Sequence, residues 1–353
     1  MKQFALLILL VSFFFGCNNN LKPHSAIQQS DNYFKYAQNI CYHSGNDSLI
    51  VYFNWNNSRD SIAYQLPQTA KRIVVLSTTD IAMLNELNAI ETIVGVCDPF
   101  RISNPKVKER YKNGEILNVG TSMQTNIETI LQLDPDIVIA TAYSKEDLEN
   151  YNQLHCPVFF VNSWQENSPL GRVEWIKLLG MLIGKSHEAD STFNVIANNY
   201  QKIKSLADSV TKKPLILAGS AYNEIWYLPG GQSYIAKFIT DAGGTYLRED
   251  EQTGSEFVTF ENLILEAQKS DLWIGCDAKT YKELDAENKN YKLLNVYKNH
   301  QIYNRSKRCI ENGGNDFFEY GFVRPDIVLA DYMKIIHPEL LPNYETMFID
   351  SLR

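Results

Sequence analysis

The chain has 353 residues, a formal net charge of −8, and a composition 44% hydrophobic and 12% aromatic. A disordered chain of this charge would carry fewer aromatics, so the composition describes a folded protein with room for two or three lobes. With 33 basic against 41 acidic residues it lacks the positive field that displaces counterions from phosphates, which argues against nucleic-acid binding.

The chain begins Met1-Lys2-Gln3, runs apolar over the twelve residues 4–15, and then reads Gly16-Cys17-Asn18. A short charged end, an apolar stretch and a small residue at the break are the parts of an export signal. The stretch is too short to span a bilayer, which needs roughly 20 residues. The Gly-Cys junction resembles a bacterial lipoprotein signal, with Phe14 where that pattern usually has Leu. The resemblance implies cleavage before Cys17 and its acylation; an ordinary cleaved signal is the alternative. Loss of Lys2 would leave 32 basic residues and a net charge of −9. The remaining cysteines, Cys41, Cys97, Cys156, Cys276 and Cys309, are odd in number with no C-x-x-C pair, which favours small buried thiols over a disulfide framework. An exported protein meets an oxidising compartment, so one bridge among them stays open.

Residues 18–35 are polar and read as a tether. Apolar runs at 49–53 and 62–66, separated by polar residues 54–60, predict a hairpin. From Lys71 the pattern becomes short β-branched runs alternating with helical ones. Strands are expected at 73–76, 92–96, 115–119, 136–140 and 158–161, with a helix near Ile81–Leu87. A second series follows at 215–218, 224–228, 244–247, 272–276 and 301–303. Strand and helix in alternation predict two α/β lobes, each with a mainly parallel sheet flanked by helices. Between them, Val173, Trp175, Ile176, Leu178, Leu179 and Leu182 recur at helical spacing, and Gly184 breaks the pattern. A second helix over 187–210 would run about 36 Å and join the lobes stiffly, so ligand closure is expected to be small. The expected division is signal and acylated Cys at 1–17, tether and hairpin at 18–70, first lobe at 71–167, linking helices at 168–210 and second lobe at 211–353.

Residues 126–139 and 259–274 echo one another. Each has a polar cap, an apolar residue, a Glu, an amphipathic turn and an Asp introducing a strand. Glu128 and Glu261 hold equivalent places, where the helix dipole favours a carboxylate in any case.

Catalytic motifs fail on inspection. There is no G-x-S-x-G, H-E-x-x-H or G-x-G-x-x-G. The nearest phosphate loop, Gly180 to Ser186, has three residues between its glycines where four are needed and lies in a helical pattern. The six histidines form no spaced pair, which disfavours a metal held directly on protein. Asp98 and Asp277 occupy equivalent loops after strands, but a carboxylate pair is ordinary on a polar cleft rim. The chain reads as a non-enzyme with no cofactor of its own.

Arg72-Ile-Val-Val-Leu-Ser77-Thr78, followed by Met83-Leu84-x-x-Leu87 and Ile93-Val94-Gly95-Val96, resembles the opening of the class III periplasmic binding proteins. The two echoed units, Gly243-Gly244, Arg324-Pro325-Asp326 and His337-Pro338-Glu339 extend the resemblance from about residue 70 to 341. The hairpin and Asn-rich start are similar to lipoprotein forms from Bacteroidetes-type bacteria.

The resemblance implies two α/β lobes joined by one long helix, and a metal chelate carried to an ABC importer. The chelate would be cobalamin or a ferric siderophore, with haem third. It implies that Glu128 and Glu261 dock on the importer's membrane subunits, and that loops after the strands hold the ligand. In the first lobe these carry Ser77, Thr78, Asp98, Phe100, Thr121, Ser122, Tyr143 and Trp164. In the second they carry Tyr222, Trp226, Tyr227, Arg305, Lys307 and Arg308. Aromatic surfaces would cover a bulky chelate, while the basic cluster at 305–308 would counter an anionic siderophore. The expected protein acts as a monomer, faces the periplasm and meets the membrane through its lipid alone. A chelate-holding lipoprotein serving an outer-membrane receptor is the alternative.

Overall fold

In the computed structural model the described residues are 32–43, 48–55 and 58–353. The expected signal and Cys17, and most of the expected tether, lie outside them. The last part of the tether does not hang free: the N–H groups of Lys35, Tyr36 and Ala37 donate to the Glu174 carboxylate at 2.6–2.9 Å. Those of Gln38 and Asn39 donate to Glu166. Both glutamates are buried, and charge-assisted bonds to backbone N–H groups offset the cost of burying their carboxylates.

The chain then forms β1 (Ile40–His43), β2 (Ser48–Trp55) and β3 (Ser58–Tyr64), an antiparallel sheet in that order. The expected hairpin is present, but its strands extend through the polar stretch: Asn54 pairs with Arg59 and Phe53 with Asp60. Alternation, not mean polarity, sets the strand length, since one face of β2 buries Leu49, Val51 and Phe53.

The first lobe runs β4 (Ile73–Val75), α1 (Thr78–Glu86), β5 (Ile93–Val96), α2 (Pro105–Lys112), β6 (Leu117–Asn118), α3 (Ile127–Leu133), β7 (Ile137–Ala140) and β8 (Val158–Phe160). Its strands form one parallel sheet in the order β6-β5-β4-β7-β8. All residues of β4 and β7 are buried, as the centre of a sheet covered on both faces requires.

The link consists of α4 (Pro169–Glu174), α5 (Ile176–Leu182) and α6 (Ser186–Leu206). The expected single helix over 173–182 is divided at Trp175. The 21 residues of α6 span about 31 Å, and a 3-10 turn at Ala207–Ser209 continues them. Gly184, at φ +71°, supplies the left-handed turn between α5 and α6.

The second lobe comprises β9 (Leu215–Ala218), β10 (Ser220–Tyr222), β11 (Ile225–Pro229), α7 (Tyr234–Asp241), β12 (Thr245–Tyr246), β13 (Ser255–Thr259), α8 (Phe260–Ala267), β14 (Leu272–Cys276), α9 (Tyr281–Glu287), α10 (Asn295–Lys298), β15 (Ile302–Asn304), α11 (Asp316–Val323), α12 (Pro325–Ile336) and β16 (Asp350–Ser351). Its main sheet is ordered β12-β9-β14-β15-β16, parallel except for the last strand. The expected strand at 224–228 is not part of it: β10, β11 and β13 form a separate antiparallel sheet.

The echo has a structural cause. Asp136 accepts the N–H groups of Lys71 and Arg72 at 2.6 and 2.8 Å, and Asp271 accepts that of Leu215 at 2.8 Å. In each lobe the Asp before a strand thus clips the entry of the lobe's first strand beside it. The two N–H donors hold the Asp136 carboxyl below its ordinary range.

Helix α11 crosses the molecule and packs on α1 of the first lobe. Thr79 Oγ1 donates to the Phe318 carbonyl at 3.1 Å, and Glu319 accepts from the N–H groups of Ser103 and Asn104 at 2.6 and 3.1 Å. The lobes are therefore tied twice, by the linking helices and by this contact.

Candidate functional site

In both parallel sheets the strand order reverses next to the first strand of the lobe, and open α/β sheets bind ligands at the carboxyl ends of strands around such a point. Those ends face one another across a cleft of two connected parts. One cavity of about 600 Å³ is lined by Ser77, Thr78, Asp98, Ser122 and Tyr143 of the first lobe and by Asp277, Phe318 and Glu319 of the second. A second of about 970 Å³ is lined by Arg172, Tyr222, Tyr227 and Tyr234, with Asn54 at its edge. Trp164, Asp277, Arg305 and Phe318 line both parts.

The first-lobe wall is built by short polar clips. Asp98 stands in the left-handed region at φ 46°, and its carboxylate accepts the Ser122 N–H at 2.8 Å. Asp147 accepts the N–H groups of Tyr143 and Ser144 at 2.8 and 2.9 Å. Trp164 Nε1 donates to the Ala142 carbonyl at 3.2 Å, and its ring lies 5.4 Å from that of Tyr143. Asp80 lies behind Ser77 and Thr78, 1% exposed, and its Oδ2 has no hydrogen-bond partner among the described residues. Burial pushes its pKa up to about 8. In the sequence, this Asp reads only as an ordinary first-turn carboxylate.

On the second-lobe wall, Arg305 donates from Nη2 to the Gly275 carbonyl at 3.1 Å and to Asp277 at 3.4 Å. Its guanidinium also lies over the rings of Phe317 and Phe318. Its Nε is buried without an acceptor among the described residues. Burial is the main cause that pushes Glu319 up to about 7. No group of three or more His, Cys, Asp or Glu among the described residues is arranged to hold a metal ion. The chemistry on offer is hydrogen bonding, ring contact and positive charge.

Seven of the residues expected from sequence line the first cavity: Ser77, Thr78, Asp98, Ser122, Tyr143, Trp164 and Arg305. Tyr222 and Tyr227 line the second. Four lie elsewhere. Trp226 is fully buried in the second-lobe core, its Nε1 donating to the Ala218 carbonyl at 3.0 Å and its ring beside Trp273. Phe100 is exposed and meets the edge of Tyr111 outside the cleft. The Thr121 hydroxyl accepts from the Gln124 N–H inside its own turn. Arg308 pairs with Asp316, and Lys307 donates to Thr346, so the basic cluster is split and only Arg305 faces the cleft.

The structure adds Arg172, Tyr234, Phe318 and Glu319. The run Asn315-Asp316-Phe317-Phe318-Glu319 is the one signal that marked the last two, aromatics and acids together at a helix start. Glu128 and Glu261 are exposed second residues of α3 and α8, with no ion pair among the described residues. The five described cysteines are free thiols. Lys185, from the phosphate-loop look-alike, donates to the carbonyls of Leu87 and Asn88.

Comparison with known proteins agrees with this architecture. The uncharacterized lipoprotein MJ0878 of Methanocaldococcus jannaschii is 25% identical over 293 residues, covering 78% of this chain and 67% of that protein. Two solved structures share the fold. The siderophore-binding protein BauB, bound to two acinetobactin molecules and ferric iron, has a TM-score of 0.59 at 15% identity, covering 82% of this chain and 99% of its own. The periplasmic vitamin B12-binding protein BtuF of Vibrio cholerae has a TM-score of 0.56 at 12% identity, covering 79% and 100%. No described helix is long and apolar enough to cross a membrane. The family profile described as periplasmic binding protein matches residues 73–308, and with two α/β lobes facing one cleft, the chain belongs to that family.

Proposed function

We propose that this protein captures an organic metal chelate between its lobes and hands it to an ABC importer, without covalent chemistry. The observation that carries the reading is the cleft: hydroxyls and backbone-clipped polar groups on one wall, exposed tyrosines and Arg305 on the other. Such a pairing suits a large ligand with an apolar body and a polar periphery. Cobalamin is the favoured class, because the two connected parts of the cleft give room for a ligand of that size. A ferric siderophore is the second reading, favoured by the unaccepted Arg305 Nε.

Glu128 and Glu261, one on each lobe and both without an ion pair among the described residues, suit docking on cations of the importer's membrane subunits. Acylated Cys17 would hold the protein, a monomer facing the periplasm, at the membrane surface; the lipoprotein description of the M. jannaschii relative supports the lipid anchor. Tryptophan-fluorescence titration with cyanocobalamin, ferric siderophores and haem tests the capture step. A saturable change is expected with one of the first two, and silence towards all three overturns the reading.

A further inference from the structure

The larger part of the cleft has walls of unusual origin. Asn54 comes from β2 and Arg172 from α4, while Tyr222, Tyr227 and Gly254 come from the antiparallel β10-β11-β13 sheet and its approach. Asn54 and β2 precede the residues matched by the family profile.

Asn54 is fixed there from three sides. Its N–H donates to Gln165 Oε1 at 2.8 Å, its carbonyl accepts Gln165 Nε2 at 2.9 Å, and its Nδ2 donates to Asn39 Oδ1 at 2.7 Å. Gln165 thus pairs with the edge of β2 as a strand would, and the hairpin becomes a rigid wall of the cleft. The sheet opposite presents Tyr222 and Tyr227 on its open face because alternate residues of β11 point outward; Tyr227 is braced by the edge of Phe257 at 5.0 Å.

The charge in this part is one-sided. Arg172 donates only to carbonyls, those of Glu166 and Trp164 at 2.9 and 2.8 Å, and its guanidinium lies 3.7 Å from the Tyr234 ring centre. It has no ion pair among the described residues. Glu166, the nearest carboxylate acting on it, is already taken by two backbone N–H groups and Trp175 Nε1. Arg305 reaches the same space with an unaccepted Nε, and its partner Asp277 is largely in solvent. Two guanidinium groups with so little carboxylate between them leave a partly desolvated place for an anion, which they can bind by charge-assisted bonds.

We propose that this compartment is a second ligand subsite, which takes an anionic, aromatic side arm of the chelate, its charge between Arg172 and Arg305 and its ring against Tyr222 and Tyr227. The proposal deepens the capture reading and rests on it. A phosphate-linked aromatic base of a corrinoid and a catecholate arm of a siderophore share this chemistry, and the test separates them.

Gly254 is the place to block the compartment. It lines the cavity, a Cβ there would meet nothing within 4 Å, and it does not occupy the left-handed region. Gly254→Trp and Arg172→Gln are titrated with cyanocobalamin, with dicyanocobinamide (which lacks the phosphate and base), and with an iron(III) tris-catechol siderophore. Whichever armed chelate the wild type binds should bind each variant at least about tenfold more weakly. If the arm is the corrinoid's, cobinamide should bind wild type and variants within about twofold of one another. Arg172→Lys should recover part of the loss, since it keeps the charge; melting temperatures check that Arg172→Gln and Gly254→Trp remain folded. Armed-chelate binding unchanged in Gly254→Trp overturns the subsite while leaving the capture reading intact. Failure of the wild type to bind any chelate overturns both.

Discussion

The two lobes use the same helix–strand unit and the same aspartate clip, yet their walls of the cleft differ in kind. In the first lobe, loops after β4, β5 and β7 meet the cleft directly, and their side chains are oriented by carboxylate-to-backbone bonds such as Asp98 to Ser122 and Asp147 to Tyr143. In the second, the chain leaves the parallel sheet after β9 for β10 and β11, and again after β12 for β13, and these three strands form an antiparallel sheet. Its inner face fills the core with Trp226 and Leu228, and its outer face leaves Tyr222 and Tyr227 exposed. One wall therefore offers directed hydrogen bonds, and the other offers ring surface and guanidinium charge. A repeated fold unit need not give a symmetric site; the inserted sheet decides what the second half presents.

The equivalence of the echoed glutamates is broken most directly by charge reversal. Glu128→Lys with Glu261→Lys should abolish chelate uptake in proteoliposomes carrying the importer, while chelate affinity in solution stays unchanged. Each single change should lose a similar share if the lobes dock alike. Uptake undiminished in the double variant overturns the docking assignment of the two glutamates.

Within the inserted sheet, neighbours should behave oppositely. Trp226→Ala should cost about 3–5 kcal/mol in chemical denaturation, because it opens a large cavity among Phe260, Trp273 and Tyr291. Tyr227→Ala should leave stability within about 0.5 kcal/mol, as expected of a surface position, and weaken ligand binding.

Across the cleft, Arg305→Ala should reduce affinity for an anionic chelate about tenfold, since it removes a charge-assisted contact. Ser77→Ala and Ser122→Ala should each cost only about two- to threefold, the size of a neutral hydrogen bond. Calorimetric titration of the three variants tests whether the second wall dominates affinity.

A further prediction concerns pH. Asp80 keeps its proton in the folded state up to about pH 8, whereas its unfolded counterpart ionises near 3.9. Between those values folding takes up a proton, so this group's stabilisation falls as pH rises and levels off above about 8. Asp80→Asn should flatten the dependence of melting temperature between pH 5 and 8 and raise it at pH 8. A steeper slope in the variant would contradict the assignment.

Much of this was legible in the sequence. The alternation of β-branched and helical runs determined two α/β lobes, because strands of a covered parallel sheet must be continuously apolar and the helices over them amphipathic. The echo at 126–139 and 259–274 marked the repeated unit, and Gly184 marked the turn before the long helix. The loops that carry Ser77, Asp98, Tyr143, Trp164 and Arg305 followed from the strand ends together with the family resemblance.

What the tertiary structure decided turns on the direction of side chains and on distant partners. Trp226 and Tyr227 are adjacent aromatics with equal claims on the cleft; strand register sends one into the core and the other outward, and a shift by one residue would exchange them. Arg305 and Arg308 look interchangeable in sequence, but Asp316 engages one and leaves the other to the cleft. The contribution of Asn54 had no local signal, since it depends on Gln165, more than 100 positions away in the chain, pairing with the end of β2, a contact that only packing brings about.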